Sequence, residues 1–533
     1  MSAKRRLAAV VAALGLSMVL HLAYSCYGYG AVDEGMIHAM SRRLLNGEVP
    51  HRDFIFSRTA LSPMLMTPLV ALDSPRLMLM SRYVWWLEMT ATAFLWTAIL
   101  GRSFPALLGL GVYIPTSVLS LMLSVHIFPP MVWYTTDGVF LSTLGLWSLG
   151  RTERPARVFG GVALGLAVLA KQNFAVMPVL ALVAGGGGFA LLSALPVSLY
   201  FGALTLADGV GDFVVQQMGH SDLLKAGLYP YTRWATGSGA GLAVWIALTA
   251  TFAGQQRWPT LRLFGRRFAN ATVATLLALW ACYPERHVGL SMSLFWATAI
   301  YAFALRHEVP GGWRTALVPL GLAWASAVSN GWQSRALGGA GLAVLAVAIW
   351  LHPEGESAPG ALRTRTCLLW AMALASLSAH HFARMEATYA DRPRAELVHD
   401  LGPLLPGFAG IYTSERTFGY IEEAERLSRE YGTRGHAIIP DFPGHWVPRG
   451  RVNPLPIDWV FAGDLPTPEL IERVTRVIDG QKGRIVILVG RDNATLFDRV
   501  ALAPYRRGQN PIVDHVTSRW TVVHRGRYFT VYE

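Results

Sequence analysis

Ala31-Val32-Asp33-Glu34-Gly35, followed by Leu45-Asn46-Gly47-Glu48-Val49-Pro50-His51-Arg52-Asp53-Phe54, is the stretch on which the reading of this chain turns. It directly follows residues 7–25, an apolar run long enough to cross a bilayer, in which His21 is the one residue that charges near neutral pH. Two carboxylates therefore stand side by side where the first helix leaves the membrane. Arg42, Arg43, Arg52 and Arg58 come soon after. A carboxylate beside several cations at a lipid surface can take a proton from one group while the cations receive an anionic one.

The composition is that of a membrane protein. The chain is 53% hydrophobic and 15% charged, with mean hydropathy +0.35. Its net charge of +12 does not indicate nucleic acid as a partner, because much of the excess arginine lies in short loops between apolar runs, which is how membrane topology is written. Cys26, Cys282 and Cys367 lie in or beside expected spans, so no disulfide framework is implied. No convincing small-residue cleavage site follows the first run, which reads as an uncleaved signal-anchor helix.

Apolar runs recur at 7–25, 77–100, 104–124, 131–149, 158–170, 174–184, 188–206, 238–255, 268–283, 288–305, 315–330, 336–351 and 367–382. They predict a multi-pass helical membrane protein with about 13 segments. The break at Lys171-Gln172-Asn173 is placed on charge grounds. It returns Arg257, Arg262, Arg266 and Arg267 to the cytoplasmic side, with Arg151, Arg154, Arg157 and Lys4-Arg5-Arg6. Half-length helices of this kind are tolerated where they line a cavity or are buried in protein. The expected division is a transmembrane unit, 1–383, with external loop 26–76, and an extracytoplasmic α/β domain, 384–533. In the tail the pattern predicts strands at 410–413, 436–439, 458–461 and 484–489, helices at 415–431 and 467–479, and a closing hairpin of 520–524 and 528–532.

Asp33-Glu34-Gly35 opens an expected helix at 32–45 whose Ile37, Met40, Leu44 and Leu45 form an apolar stripe lying on the membrane. The same pattern has a structural reading. Acids in the first turn, arginines in the last and Gly47 beyond it satisfy a helix dipole and a C-cap.

Val32-Asp33-Glu34-Gly35, the ten-residue helix, Gly47-x-x-Pro50-x-Arg52-Asp53-Phe54 and Ser62-Pro63-Met64-Leu65 together resemble the first external loop of GT-C fold glycosyltransferases, the polyprenyl-phosphate-sugar-dependent membrane enzymes that include protein O-mannosyltransferase and aminoarabinose transferase relatives. Tyr134-Thr135-Thr136-Asp137 and Gly160-Gly161 through Lys171-Gln172 fit the same pattern, whereas His51 departs from the tyrosine commoner there. The resemblance covers residues 7–190 well and is weak from 200 to 383. In the tail it is architectural only. It implies a glycosyltransferase of the cytoplasmic (inner) membrane, moving a sugar from a polyprenyl-phosphate carrier to a hydroxyl on a glycan, lipid or protein acceptor at the outer face. The family's catalytic acid maps onto Asp33, the general base.

A phosphate leaving group needs positive charge on its oxygens, and the candidates are Arg58, Arg52, Lys171 and, between two later spans, Arg286. Glu34 and Asp137 can bind acceptor or sugar hydroxyls or hold a divalent cation; no cofactor is certain and the metal is left open. Asp137 interrupts an apolar helix, where a carboxylate is expensive unless it is paired or used. His287, Trp332, Gln333, His445 and Trp446 are the aromatic and imidazole candidates for sugar or acceptor contact. The structural reading of 440–454 is a loop packing the tail onto the membrane part. Two rival readings, a lipid-linked saccharide flippase and a non-catalytic envelope assembly protein, predict no transfer activity. The flippase is further disfavoured because no inverted hydropathy repeat is visible.

Overall fold

The computed structural model describes residues 2–125, 128–218, 259–282, 287–304, 313–328, 338–351, 359–388, 391–431, 435–460, 464–493, 503–504 and 508–533. Helices occupy each expected apolar run that falls within these residues; the run at 238–255 lies outside them. The helices are α1 Ala3–Tyr24, α2 Met36–Leu45, α3 Leu61–Ala71, α4 Leu77–Leu100, α5 Leu110–Val125, α6 Tyr134–Leu149, α7 Arg154–Ala170, α8 Val176–Ala181, α9 Ala194–Leu206, α10 Val210–Met218, α11 Pro259–Cys282, α12 His287–Ala304, α13 Trp313–Ala327, α14 Gly339–Leu351 and α15 Pro359–Glu386. By length and composition Ala3–Tyr24, Gln172–Leu206 and Leu362–Glu386 can each cross a membrane. Their exposed leucines, such as Leu7 and Leu22 on α1, Leu199 on α9 and Leu374 on α15, form apolar surface that water would not tolerate at this extent.

The chain breaks where the charge argument placed the break. Lys171 leaves the helix with φ −160° and ψ 132°, and a 3₁₀ turn, Gln172–Ala175, leads into α8. A second break comes at Gly185, which has φ +99°. The main core joins α4, α5, α6, α7, α11, α13 and α14 around Trp96, Leu164, Trp280 and Leu345. Small residues set the α6–α7 contact: a Cβ on Gly160 would lie 2.8 Å from the Gly145 carbonyl oxygen, so only glycine lets the two backbones approach this closely.

In the tail, α16 Glu415–Tyr431, α17 Pro468–Gly480 and α18 Pro511–Arg519 accompany a four-stranded sheet. Its strands are β1 His436–Ile439, β2 Val486–Gly490, β3 Val522–Arg525 and β4 Phe529–Tyr532, in the order β1-β2-β4-β3. The β1–β2 pair is parallel and the others antiparallel, so the closing hairpin is confirmed. Of the expected strand at 458–461, residues 458–460 are described and carry one bridge, between Asp441 and Trp459, while Asp458 pairs with Arg43. Tyr412–Thr413 pairs with His399–Asp400 in a separate small ladder.

The tail is stitched to the first external loop by main-chain hydrogen bonds. Tyr412 N–H donates to Cys26 O at 2.7 Å, Gly28 N–H to Tyr412 O at 2.9 Å, and Ile55 N–H to Pro456 O at 2.6 Å. The loop that sequence singles out is therefore covered by the tail.

Candidate active site

Asp33 sits in a tight turn. Its N–H and that of Glu34 both donate to Gly30 O, at 3.2 and 2.9 Å, and its own carbonyl accepts from Met36 N–H. Gly35 closes the turn at φ +99°, a conformation L side chains resist. It also has no room for one, since a Cβ there would lie 2.7 Å from Gly444 Cα in the tail. The turn thus presents Asp33, 6% exposed, at the junction of membrane part and tail.

Glu34 is tied to α4. Its two oxygens accept from Arg82 Nε and Nη2 of α4, both at 2.7 Å, and both side chains are almost fully buried. Arg82 also donates to the carbonyls of Gly28 and Ser25. Glu34 thus anchors the loop to α4, with one bond accepted at each carboxylate oxygen.

Tyr134 at the start of α6 gathers the cations. The Arg58 guanidinium lies 4.8 Å from its ring centroid and Lys171 Nζ lies 5.0 Å from it. Lys171 Nζ donates to Thr135 Oγ1 at 2.8 Å. Asp33 is close enough for its charge to act on the Tyr134 hydroxyl. Two of the expected phosphate ligands therefore flank one ring, whose hydroxyl also feels the charge of the expected base. Arg58 is paired with Asp464 of the tail; burial opposes its charge, but Asp464 and Tyr134 outweigh burial and raise the guanidinium above its ordinary value. Lys171 is 1% exposed and makes no ion pair among the described residues.

Arg52 is not part of this group. It is partly exposed, paired with the neighbouring Asp53 at 2.8 Å and bonded to Ala207 O. Arg42 and Arg43, which belonged to the arginine cluster in the sequence, are also held elsewhere. Arg42 pairs with Asp73, and Arg43 grips Asp458 through two bonds of 2.7 and 3.0 Å and Glu48 through a third. His51 donates and accepts between Gln216 and Tyr200, both at 2.9 Å, and burial holds it down at about 4, so it is a neutral brace for the loop.

Asp137 is wholly buried in the first turn of α6, and neither of its carboxylate oxygens has a hydrogen bond among the described residues. It stands beside Ser62 of α3 and Glu88 of α4. Glu88 was missed in the sequence, where it is the one carboxylate in the 77–100 run. No group of three or more potential metal ligands is gathered among the described residues.

His445 and Trp446 are packed inside the tail. His445 Nδ1 meets Glu425 Oε1 at 2.7 Å and its Nε2 meets His436 Nε2 at 2.6 Å, while Arg451 holds both Glu425 oxygens. Burial works to raise the Glu425 carboxyl, but His445 and Arg451 outweigh it and hold it down at about 2. Burial, aided by His445 and Arg451, pushes His436 down to about 3. The structure places this pair as the packing core of the docking loop, with Gly444 against Tyr29 and Gly35. Arg286, Trp332 and Gln333 lie outside the described residues, and of His287 only its place at the start of α12 is described.

Like Glu88, Asp441 was not singled out in the sequence. Asp441, 8% exposed, follows β1 and bridges to Trp459. Asp458 and Asp464 each have an arginine, whereas Asp441 has no ion pair among the described residues. Burial and the neighbouring Asp33 charge hold its carboxyl well above the ordinary range. A signal existed, since Asp441 sits in the Pro/Gly-rich loop, but nothing local ties it to Asp33.

No family model and no curated protein matches this chain. It is similar to the solved structure of ArnT from Cupriavidus metallidurans bound to undecaprenyl phosphate, at 12% identity over 98% of this chain and 97% of that one, with a TM-score of 0.40. It is also similar to the archaeal oligosaccharyltransferase AglB from Archaeoglobus fulgidus in complex with an inhibitory peptide and a dolichol-phosphate, at 12% identity over 92% of this chain and 69% of that one, with a TM-score of 0.45.

Proposed function

We propose that the chain is an integral membrane glycosyltransferase that moves a sugar from a polyprenyl-phosphate carrier to an acceptor hydroxyl at the outer face of the membrane. The observation that carries this reading is Lys171. It is a buried amine with no carboxylate partner among the described residues, flanking the Tyr134 ring together with Arg58; burial and Arg58 push its charge off well below the ordinary lysine range until an anion enters, and the Asp33 charge acts on the hydroxyl of the same ring. A buried charge without a counter-ion is expensive, and an anionic ligand repays it.

In this reading Asp33 takes the proton of the acceptor hydroxyl as its oxygen bonds to the anomeric carbon. The bond from that carbon to the phosphate oxygen breaks, and the electron pair leaves with the phosphate, whose charge Arg58 and Lys171 receive. A single displacement inverts the anomeric centre. Glu34 and Arg82 fix the turn that carries Asp33. Domain 384–533 closes over the loop and supplies Asp464, which holds Arg58.

The test is to incubate purified protein with a panel of polyprenyl-phosphate sugars and acceptor hydroxyls. Consumption of one donor, with release of polyprenyl phosphate, is the expected result. No consumption of any donor, together with movement of intact lipid-linked saccharide across a bilayer, would replace this reading by the flippase.

A further inference from the structure

A small cavity of about 20 Å³, open to its surroundings, lies beside the Glu34–Arg82 pair, at the ends of α1 and α15. Its walls include Tyr24, Tyr27, Glu34, Arg82, Arg384 and Arg394. Arg82 is neutralised by Glu34. Arg384 and Arg394 have no carboxylate partner among the described residues, so the lining carries an excess of positive charge.

Arg384 is the telling residue. It is 5% exposed, and its Nη2 donates to the carbonyls of Val125 and Phe128, which fix the guanidinium in place. Its buried Nε has no hydrogen-bond partner. An N–H left bare on a buried cation is a costly arrangement unless a ligand accepts from it. Arg394 lies with its guanidinium 3.9 Å from the Tyr27 ring centroid and is held by the carbonyl of Ala23 at 3.1 Å. Two arginines are thus fixed by carbonyls and an aromatic face at one cavity, with donors left over. Planar guanidinium pairs of this kind suit the oxygens of a phosphate ester.

We propose that this cavity is a second anion site, separate from the Arg58–Lys171 pair, which takes a phosphate-bearing group at the membrane surface. The group is either the headgroup of a bilayer phospholipid or a free phosphate such as one carried by a soluble acceptor. The proposal does not depend on the glycosyltransferase reading, because it rests on Arg384 and Arg394, to which that reading gives no role.

The experiment uses the full chain, purified and correctly folded by gel filtration and circular dichroism. Native mass spectrometry after equilibration in phosphatidylglycerol bilayers counts retained anionic lipid, and diacylglycerol, which lacks the phosphate, is the control. In a second arm, inorganic phosphate is titrated against thermal stability in detergent. Arg394→Gln is the main variant, since Arg394 is only partly buried, and Arg384→Gln is the second. Wild type is expected to retain phosphatidylglycerol but not diacylglycerol, and Arg394→Gln to weaken retention roughly 10-fold, as losing a hydrogen bond to a charged group does. Stabilisation by inorganic phosphate that Arg394→Gln abolishes would support a free phosphate source. Its absence, with lipid retention lost in the variant, would support the headgroup. Equal lipid retention and equal phosphate response in wild type and folded Arg394→Gln would overturn the proposal.

Discussion

Replacing Glu34 by Gln separates an anchor from a ligand-binding carboxylate. Arg82 makes two 2.7 Å bonds to Glu34 and both side chains are almost completely buried. Glutamine keeps one acceptor oxygen in the same place. It therefore loses one of the two charge-assisted bonds and the whole counter-charge of a guanidinium that cannot deprotonate. Breaking a buried pair from one side costs about 3 kcal/mol at the low end. That corresponds to roughly 100-fold in a local opening equilibrium. The amides that should report it are those of Asp33 and Glu34, whose hydrogen bonds to Gly30 close the turn. Hydrogen exchange of the peptide covering 25–36, followed by mass spectrometry, should accelerate by about that factor, while exchange in β1 and β2 of the tail stays unchanged. Exchange in 25–36 identical to wild type, with activity lost, would refute the anchor and return Glu34 to the acceptor site.

Lys171→Met should leave thermal stability equal or higher, since it removes a buried amine without a carboxylate partner, yet lower donor kcat/KM by roughly 10- to 100-fold; reduced stability with donor use unchanged would contradict the phosphate assignment. Gly35→Ala should loosen the tail, seen as faster limited proteolysis near residue 440, because αL strain of about 1–2 kcal/mol is joined by a Cβ 2.7 Å from Gly444 Cα. Gly47→Ala, at φ +85° with nothing within 4 Å, should show the strain alone. The tail should also lose stability on acidification in two stages. His436 is held down at about 3 from 6.5, so the folded state binds fewer protons than the unfolded one and stability falls as pH drops below about 6.5. Glu425, held at about 2 from 4.5, adds a loss below about 4.5. Near-UV circular dichroism against pH should show the first stage shrink in His436→Gln, with the remainder left to His445, which burial also holds low.

The helices were legible in the sequence because a 3.6-residue apolar period and a bilayer's thickness are local signals. The break at Lys171 was legible because a cation and two amides interrupt an apolar run, and the hairpin at the C-terminus because alternation and Arg525-Gly526 mark it. The arginines were legible as residue types but not as roles. Arg43 meets Asp458 and Arg58 meets Asp464 across some 400 residues of sequence, and no periodicity encodes such a pairing. The same holds for Asp441, whose carboxyl the Asp33 charge reaches only through the docking of the tail. The helix Pro511–Arg519 was missed because its short apolar set, Ile512, Val513 and Val516, follows Arg506-Arg507-Gly508-Gln509-Asn510, which reads as loop.

The central claim is that Asp33 is the base. Asp33→Asn keeps the shape of the side chain within the turn and removes its ability to take a proton. Transfer from the polyprenyl-phosphate sugar that the wild-type protein consumes should be measured for both proteins at saturating donor, with release of polyprenyl phosphate as the readout. The account predicts a fall of at least about 10²-fold in Asp33→Asn, with donor binding and thermal unfolding near wild type. Full activity in a correctly folded Asp33→Asn protein would contradict it.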